Sequence, residues 1–153
     1  PTNRDVIYAG TQDGPYRSVD GGDHWEKLGF PDRNAVIWTI SIHPTRPNIL
    51  YCGTAPVVLY RSLDGGNNWH KLPNAICPMH CEREGFETRT VRITADPSRP
   101  DDVYAALEVS GVLRSSDGAE ITGNVMAVVP REVRAGGRHH VLGFGFELDR
   151  PLP

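Results

Sequence analysis

A block of eleven residues recurs along this chain. Pro1 to Thr11 (PTNRDVIYAGT) aligns with Pro44 to Thr54 (PTRPNILYCGT) and with Pro97 to Leu107 (PSRPDDVYAAL). The first two copies lie 43 residues apart and the second and third 53, so ten residues are inserted between the latter pair. A second element follows each block. It reads YRSVDGGDHW from Tyr16 to Trp25 and YRSLDGGNNW from Tyr60 to Trp69; from Leu113 to Ala119 it shortens to LRSSDGA, keeping Ser and Asp but losing the second Gly and the Trp. A fainter fourth block is expected from Val125, with Pro130 in the slot of Pro44 and Pro97. A fixed period of this length means one supersecondary unit that cannot bury its own apolar face and must stack on its neighbours.

Within a unit the pattern is that of strands. Ile37 to Ile42 alternates, Asn48 to Thr54 is short and β-rich, Val57 to Arg61 is β-branched and then aromatic, and Trp69 to Leu72 resumes after a Gly pair. Four strands repeating at about 43 residues correspond to one blade of a β-propeller. The 16 Gly and 13 Pro in 153 residues agree, being too many turn residues for long helices. The expected fold is all-β, with four-stranded antiparallel blades and almost no helix. The units are a partial blade over 1–28, blades over 36–72 and 89–118, and a degenerate remnant or diverged tail over 119–153. The first block has no inner strand before it, which predicts a chain that starts inside a blade and covers about three blades of an incomplete ring.

The Ser-x-Asp-x-Gly element explains itself locally. The carboxylates of Asp20 and Asp64 can accept backbone N–H bonds two residues on, Gly22 and Gly66 can take positive φ, and Ser18 and Ser62 add a hydroxyl to the same turn. Trp25 and Trp69 are expected to anchor the hairpins by burying their rings. Ser115 and Asp117 keep the first half of the pattern in the third copy. These residues resemble the Asp-box, or BNR, repeat Ser-x-Asp-x-Gly-x-Thr-Trp of sialidases, other glycoside hydrolases, sortilin-type receptors and photosystem assembly factors, with His24 and Asn68 in place of Thr. The resemblance implies a propeller in which the boxes sit on outer hairpins, away from the ligand face.

Composition removes several functions. Sixteen Lys+Arg against nineteen Asp+Glu leave a charge of -3, without the basic stripe that a phosphate backbone requires. Nucleic acid is excluded as a partner on that ground. No apolar run approaches the roughly 20 residues of a membrane helix. No cofactor fingerprint or Gly-rich phosphate loop is present, and no cofactor is expected. Cys77, His80 and Cys81 place three zinc-competent donors within five residues, yet the fourth ligand and the paired CxxC spacing are missing, so no metal is expected. Cys52, in mid-strand, reads as a small buried hydrophobe.

The candidate ligand face is where each blade connects to the inner strand of the next, over Gly29 to Val36 and Pro73 to Thr90. The second connection holds the insertion and carries His80, Glu84, Glu87 and Arg89, with Arg92 just beyond in the place of Thr39. Long loops in a compact repeat concentrate function. For Arg89 and Arg92 the plain expectation is an ion pair with Glu87 or Asp32. Trp38 is expected to be a buried anchor between blades, with stacking on a sugar as the alternative.

A sialidase-like enzyme would need an arginine cluster, a Tyr–Glu nucleophile pair and an acid Asp, while other glycosidases need two carboxylates facing across a cleft. The Phe/Tyr-Arg-Ile-Pro motif of sialidases is absent, Arg92-Ile93-Thr94 being its nearest echo. Glu82, Glu84 and Glu87 share one loop and cannot flank a substrate alone. The expectation is a non-catalytic scaffold for a carbohydrate or protein ligand, with part of a glycoside hydrolase as the alternative. Unpaired blade edges also predict self-association.

Overall fold

The computed structural model describes residues 3–73, 88–108, 111–119 and 126–128, the last three through their backbone pairing alone. Among the described residues it contains eleven strands and no helix. The first sheet pairs β1 (Ile7–Thr11), β2 (Gly14–Ser18) and β3 (Glu26–Lys27) in that order. The second pairs β4 (Val36–Ile42), β5 (Leu50–Ala55), β6 (Leu59–Ser62) and β7 (His70–Lys71). The third pairs β8 (Thr90–Ala95), β9 (Val103–Leu107), β10 (Gly111–Ser115) and β11 (Met126–Val128). Every pairing is antiparallel. Met126–Val128, expected from sequence to open a fourth block, is instead the outer strand of the third sheet, with Leu113 opposite Ala127.

The sheets stack in chain order, and their alternation places a different core on each side of the second. Leu50 and Cys52 of β5 point toward the first sheet, in a cluster with Ile37, Tyr60, Trp69, Tyr8 and Phe30. Tyr51, one residue out of phase, points the other way, into a cluster with Leu59, Leu72, Val103, Ala105 and Leu113. Strand β5 is therefore buried along almost its whole length. The thiol of Cys52 is free and fully buried, and burial pushes its pKa up.

Stacking this close leaves no room for a side chain at two equivalent positions. A Cβ on Gly10 would lie 2.7 Å from Cγ2 of Ile37, and one on Gly53 would lie 2.5 Å from Cβ of Thr90. Each glycine admits the inner strand of the next sheet.

The three box turns close alike. The hydroxyls of Ser18, Ser62 and Ser115 each donate to the aspartate two residues on and accept the N–H of Gly22, Gly66 and Ala119 respectively. The degenerate third copy thus keeps the turn, and Ala119 adopts φ 52° where Gly22 and Gly66 have 107° and 91°. Asp20 also accepts the backbone N–H of His24 at 2.9 Å and pairs with its Nδ1 at 2.6 Å. Asn68 does the same for Asp64, at 2.8 and 2.6 Å. Both substitutes for Thr therefore bring a side-chain nitrogen to the second carboxylate oxygen.

The two tryptophans differ. Trp69 is 7% exposed, covered by Phe30 with ring centroids 5.7 Å apart, whereas Trp25 is 44% exposed, against the expectation of a buried anchor. Among the described residues no sheet precedes the first to cover Trp25, and its indole N–H donates to the Gly22 carbonyl.

Gly53→Ala is expected to cost about 1–3 kcal/mol of unfolding free energy in a denaturant titration, the usual penalty for overpacking. Gly29→Ala, with nothing within 4 Å, should change it by less than about 0.5 kcal/mol.

The backbone N–H of His24, the His24 side chain and Ser18 together hold the Asp20 carboxyl down to about 2. A depressed carboxyl stabilises the fold above its unfolded value of 3.8, and that contribution is lost as pH falls toward 2. Carboxyl-detected NMR should give a midpoint near 2 for Asp20 in the folded chain, with stability declining below about pH 4.

Candidate functional site

The strand directions separate two ends of the stack. The box turns lie at one, following β2, β6 and β10. At the other end β4 and β8 begin, and the 29–35 and 73–89 connections enter. Trp38 and Val91, two of the exposed large hydrophobic side chains, lie at that opposite end.

Both inner strands carry an irregularity at their start, where register shifts between Ile37 and Thr39 in β4 and between Thr90 and Arg92 in β8. The extra residue of each bulge turns outward. These residues are Trp38, 47% exposed, and Val91, 52% exposed. Trp38 is therefore no buried anchor between sheets; the bulge removes it from the alternation that buries Ile37.

Arg89 lies over Trp38, its guanidinium carbon 4.2 Å from the ring centroid. Its partner among the described residues is Glu108 and not Asp32, while Glu87 lies outside the described residues. Nε donates to one carboxylate oxygen at 2.6 Å and an Nη donates to the other at 2.9 Å. The backbone repeats the pairing, with the Glu108 N–H donating to the Arg89 carbonyl at 2.9 Å. A planar guanidinium is thereby fixed by a fork on one edge and an indole beneath one face. The hydrogen bonds to Glu108 raise the Arg89 pKa, so its charge is permanent. Arg92 is exposed on β8 and, among the described residues, has no ion pair with Asp32 or any other carboxylate.

The structure thus brings Trp38, Arg89 and Arg92 to one end of the stack. His80, Glu84 and Glu87 lie outside the described residues, as do Cys77 and Cys81. Sequence reasoning missed Glu108 and Val91. The first was recoverable, because pairing Thr90 with Leu107 puts Arg89 opposite Glu108. Among the described residues no cluster of His, Cys, Asp and Glu has the grouping of a metal site, and no helix is long and apolar enough to cross a membrane.

Val91 and Arg92 stand in solvent, so Val91→Ala and Arg92→Ala are each expected to leave unfolding free energy within about 0.5 kcal/mol of the parent, measured by denaturant titration.

No family model matches this chain, and no curated protein does. Solved structures do. An ancestral GH74 enzyme superposes with a TM-score of 0.68 at 19% identity, over 86% of this chain and 18% of that one. The GH74 enzyme of Niastella koreensis gives 0.58 at 18% identity, over 82% and 20%. YCF48 bound to D1 peptide gives 0.58 at 17% identity, over 80% and 37%. This chain therefore spans from under a fifth to under two fifths of the length of those structures. All three are β-propellers, and the stacked antiparallel sheets of this chain are propeller blades.

Proposed function

We propose that this chain provides a non-catalytic binding face of an Asp-box propeller, whose ligand is a protein segment or a carbohydrate. The observation that carries the reading is the Trp38–Arg89–Glu108 arrangement: a half-exposed indole under a guanidinium that is already locked in place. A flat aromatic and cationic surface of this kind takes the planar amides of an extended peptide or the apolar face of a sugar ring. Its geometry is set before the ligand arrives, which lowers the ordering cost of binding. Val91 and Arg92 extend the surface along β8. The 73–90 connection, with His80, Glu84 and Glu87, enters beside it, and a long connection at the start of an inner strand is where ligand contacts concentrate in a repeat fold.

Two features support binding over turnover. Glu108 is committed to Arg89 through both carboxylate oxygens. Glu84 and Glu87 share one loop, whereas a glycosidase needs two carboxylates on opposite sides of its substrate. The complex of YCF48 with a D1 peptide supports a protein ligand for a propeller of this general shape.

The test is a peptide array and a glycan array probed with the chain, followed by titration of the best ligand. Trp38→Ala is expected to weaken affinity about 30-fold or more, as for a central interface aromatic, and Arg92→Ala about tenfold. Turnover of a glycoside panel that is abolished by Glu84→Gln or Glu87→Gln would replace this reading with a hydrolase. Binding unaffected by Trp38→Ala, Arg92→Ala or deletion of residues 74–87 would remove the site from this face.

A further inference from the structure

At the box-turn end each junction between sheets is latched by a tyrosine and an arginine. The Tyr8 hydroxyl and an Nη of Arg17, both on the first sheet, donate to the Gly65 carbonyl in the box turn of the second, each at 3.1 Å. One repeat later the Tyr51 hydroxyl donates to the Gly118 carbonyl at 2.9 Å, and an Nη of Arg61 reaches the Ala119 carbonyl at 3.5 Å. Tyr104 and Arg114 stand in the same places on the third sheet. The second junction carries a further tie. Arg46, in the 43–49 turn of the second sheet, forms an ion pair with Asp101, in the 96–102 turn of the third. At the first junction the corresponding residues are Asn3 and Asn48, which carry no charge.

Arg46 is aimed by His43, which is 2% exposed. Its Nδ1 accepts the backbone N–H of Thr45 at 3.3 Å and of Arg46 at 3.1 Å, so this is the bare nitrogen of the ring. Its Nε2 lies 3.0 Å from an Nη of Arg46 and 3.6 Å from the Asp101 carboxylate. The turn closes as the His43 N–H donates to the Ile49 carbonyl and the Ile49 N–H to the Arg46 carbonyl, both at 2.9 Å. The homologous turn of the third sheet is closed in the same way, with Asp96 in the place of His43. There a carboxylate oxygen accepts the N–H of Ser98 at 2.7 Å and of Arg99 at 3.3 Å. A carboxylate remains an acceptor down to strongly acid pH, whereas an imidazole loses its bare nitrogen in mild acid.

We propose that His43 is an acid-operated release for the junction between the second and third sheets. A second proton on the ring must go to Nδ1, where it points at two N–H donors and undoes the turn that presents Arg46 to Asp101. The charged and titratable groups around the ring are Arg46 on its own turn, Arg61 on β6 and Asp101 opposite, with Tyr51 of β5 and Asp117 of the third box turn beyond. Of the groups that act on it, only Asp101 favours the cation, and Arg46 already engages that carboxylate. Burial, then Arg46 and Arg61, outweigh it and hold the His43 pKa below 6.5. A depressed histidine stays bare where the unfolded chain has begun to bind a proton. Its contribution is therefore full above 6.5 and is lost as pH falls below that value toward the folded pKa. The Trp38–Arg89 contact joins the same two sheets, so release also loosens the proposed binding face. That consequence rests on the proposed function, but the release itself does not.

Imidazole-detected NMR of the intact chain is expected to place the His43 midpoint below 6.5. Amide hydrogen exchange, with intrinsic rates divided out, reads the junction from both sides through the N–H groups of Arg46 and Ala119. Their protection should fall by up to about tenfold for each pH unit below 6.5, the slope of one proton. Arg99, in the turn capped by Asp96, and Gly66, the counterpart of Ala119 at the first junction, should keep theirs. His43→Asn, whose side-chain carbonyl accepts at any pH, should abolish the response, and His43→Asp, which copies the Asp96 cap, should move it below about pH 4. A midpoint at or above 6.5, unchanged protection of Arg46 or Ala119, equal loss at Gly66, or a folded His43→Asn or His43→Asp chain that responds like the parent would each overturn the inference. None of these readouts involves a ligand, so this test and the ligand arrays fail independently.

Discussion

The rest of this structure depends on box-turn carbonyls that accept from a tyrosine and an arginine of the sheet before: Gly65 from Tyr8 and Arg17, then Gly118 from Tyr51 and Ala119 from Arg61. A blade buries one face against each neighbour and has no closed core of its own, so its position is set by whatever fixes it to the next. Apolar contacts supply most of the free energy but tolerate sliding. A buried hydroxyl donating to a carbonyl that points out of a rigid turn does not, because a displaced donor and acceptor would both lie unpaired. The Ser–Asp–Gly hydrogen bonds make the turn rigid, and the Tyr–Arg pair converts that rigidity into registry between sheets.

With registry fixed at the turn end, packing at the opposite end follows. Ile37 and Thr90 come down on Gly10 and Gly53 so closely that only hydrogen fits. The bulges lie immediately beyond these contacts, and the two facts are connected: a strand pressed against its neighbour at one residue cannot also bury the next, and the extra residue turns to solvent. Trp38 and Val91 are exposed for that reason, at the point where the long connection delivers Arg89. The exposed surface that the proposed function uses is a consequence of how the blades are seated.

The blade order, most of the strands and the three turns were legible in the sequence because repetition multiplies a weak local signal. What was not legible depended on things a period does not encode. Trp25 and Trp69 occupy the same slot, yet one is covered and the other is not, since cover comes from the preceding sheet. Trp38 was read as buried because an anchor between blades is the commoner use of tryptophan, whereas the bulge in β4 turns it outward. For Arg89 a pairing with Glu87 or Asp32 was expected, and the described partner, Glu108, lies across the β8–β9 ladder, where neither closeness in sequence nor the repeat points to it. Met126–Val128 was assigned to a new repeat because the longer hairpin after Ser115 obscures the return of the outer strand. The tyrosines and arginines of the latch were visible as recurring letters, but their role needed the neighbouring sheet.

The third unit departs from the other two at positions that belong to two different constraints. Ala119 replaces glycine where a positive φ is required, and it pays for that strain with a methyl group buried at 5% exposure among Tyr51, Leu59 and Leu113. The same methyl at Gly66 would lie 2.8 Å from Leu28, so the exchange works only where the preceding sheet leaves space. Ala106 stands in the slot of Gly10 and Gly53, where the inner strand of the next sheet presses on the first two copies. A repeat that has merely decayed would lose such residues independently of their neighbours, whereas here the turn still closes, Tyr104 and Arg114 keep their places, and Ala119 fits the space that its junction with the second sheet offers.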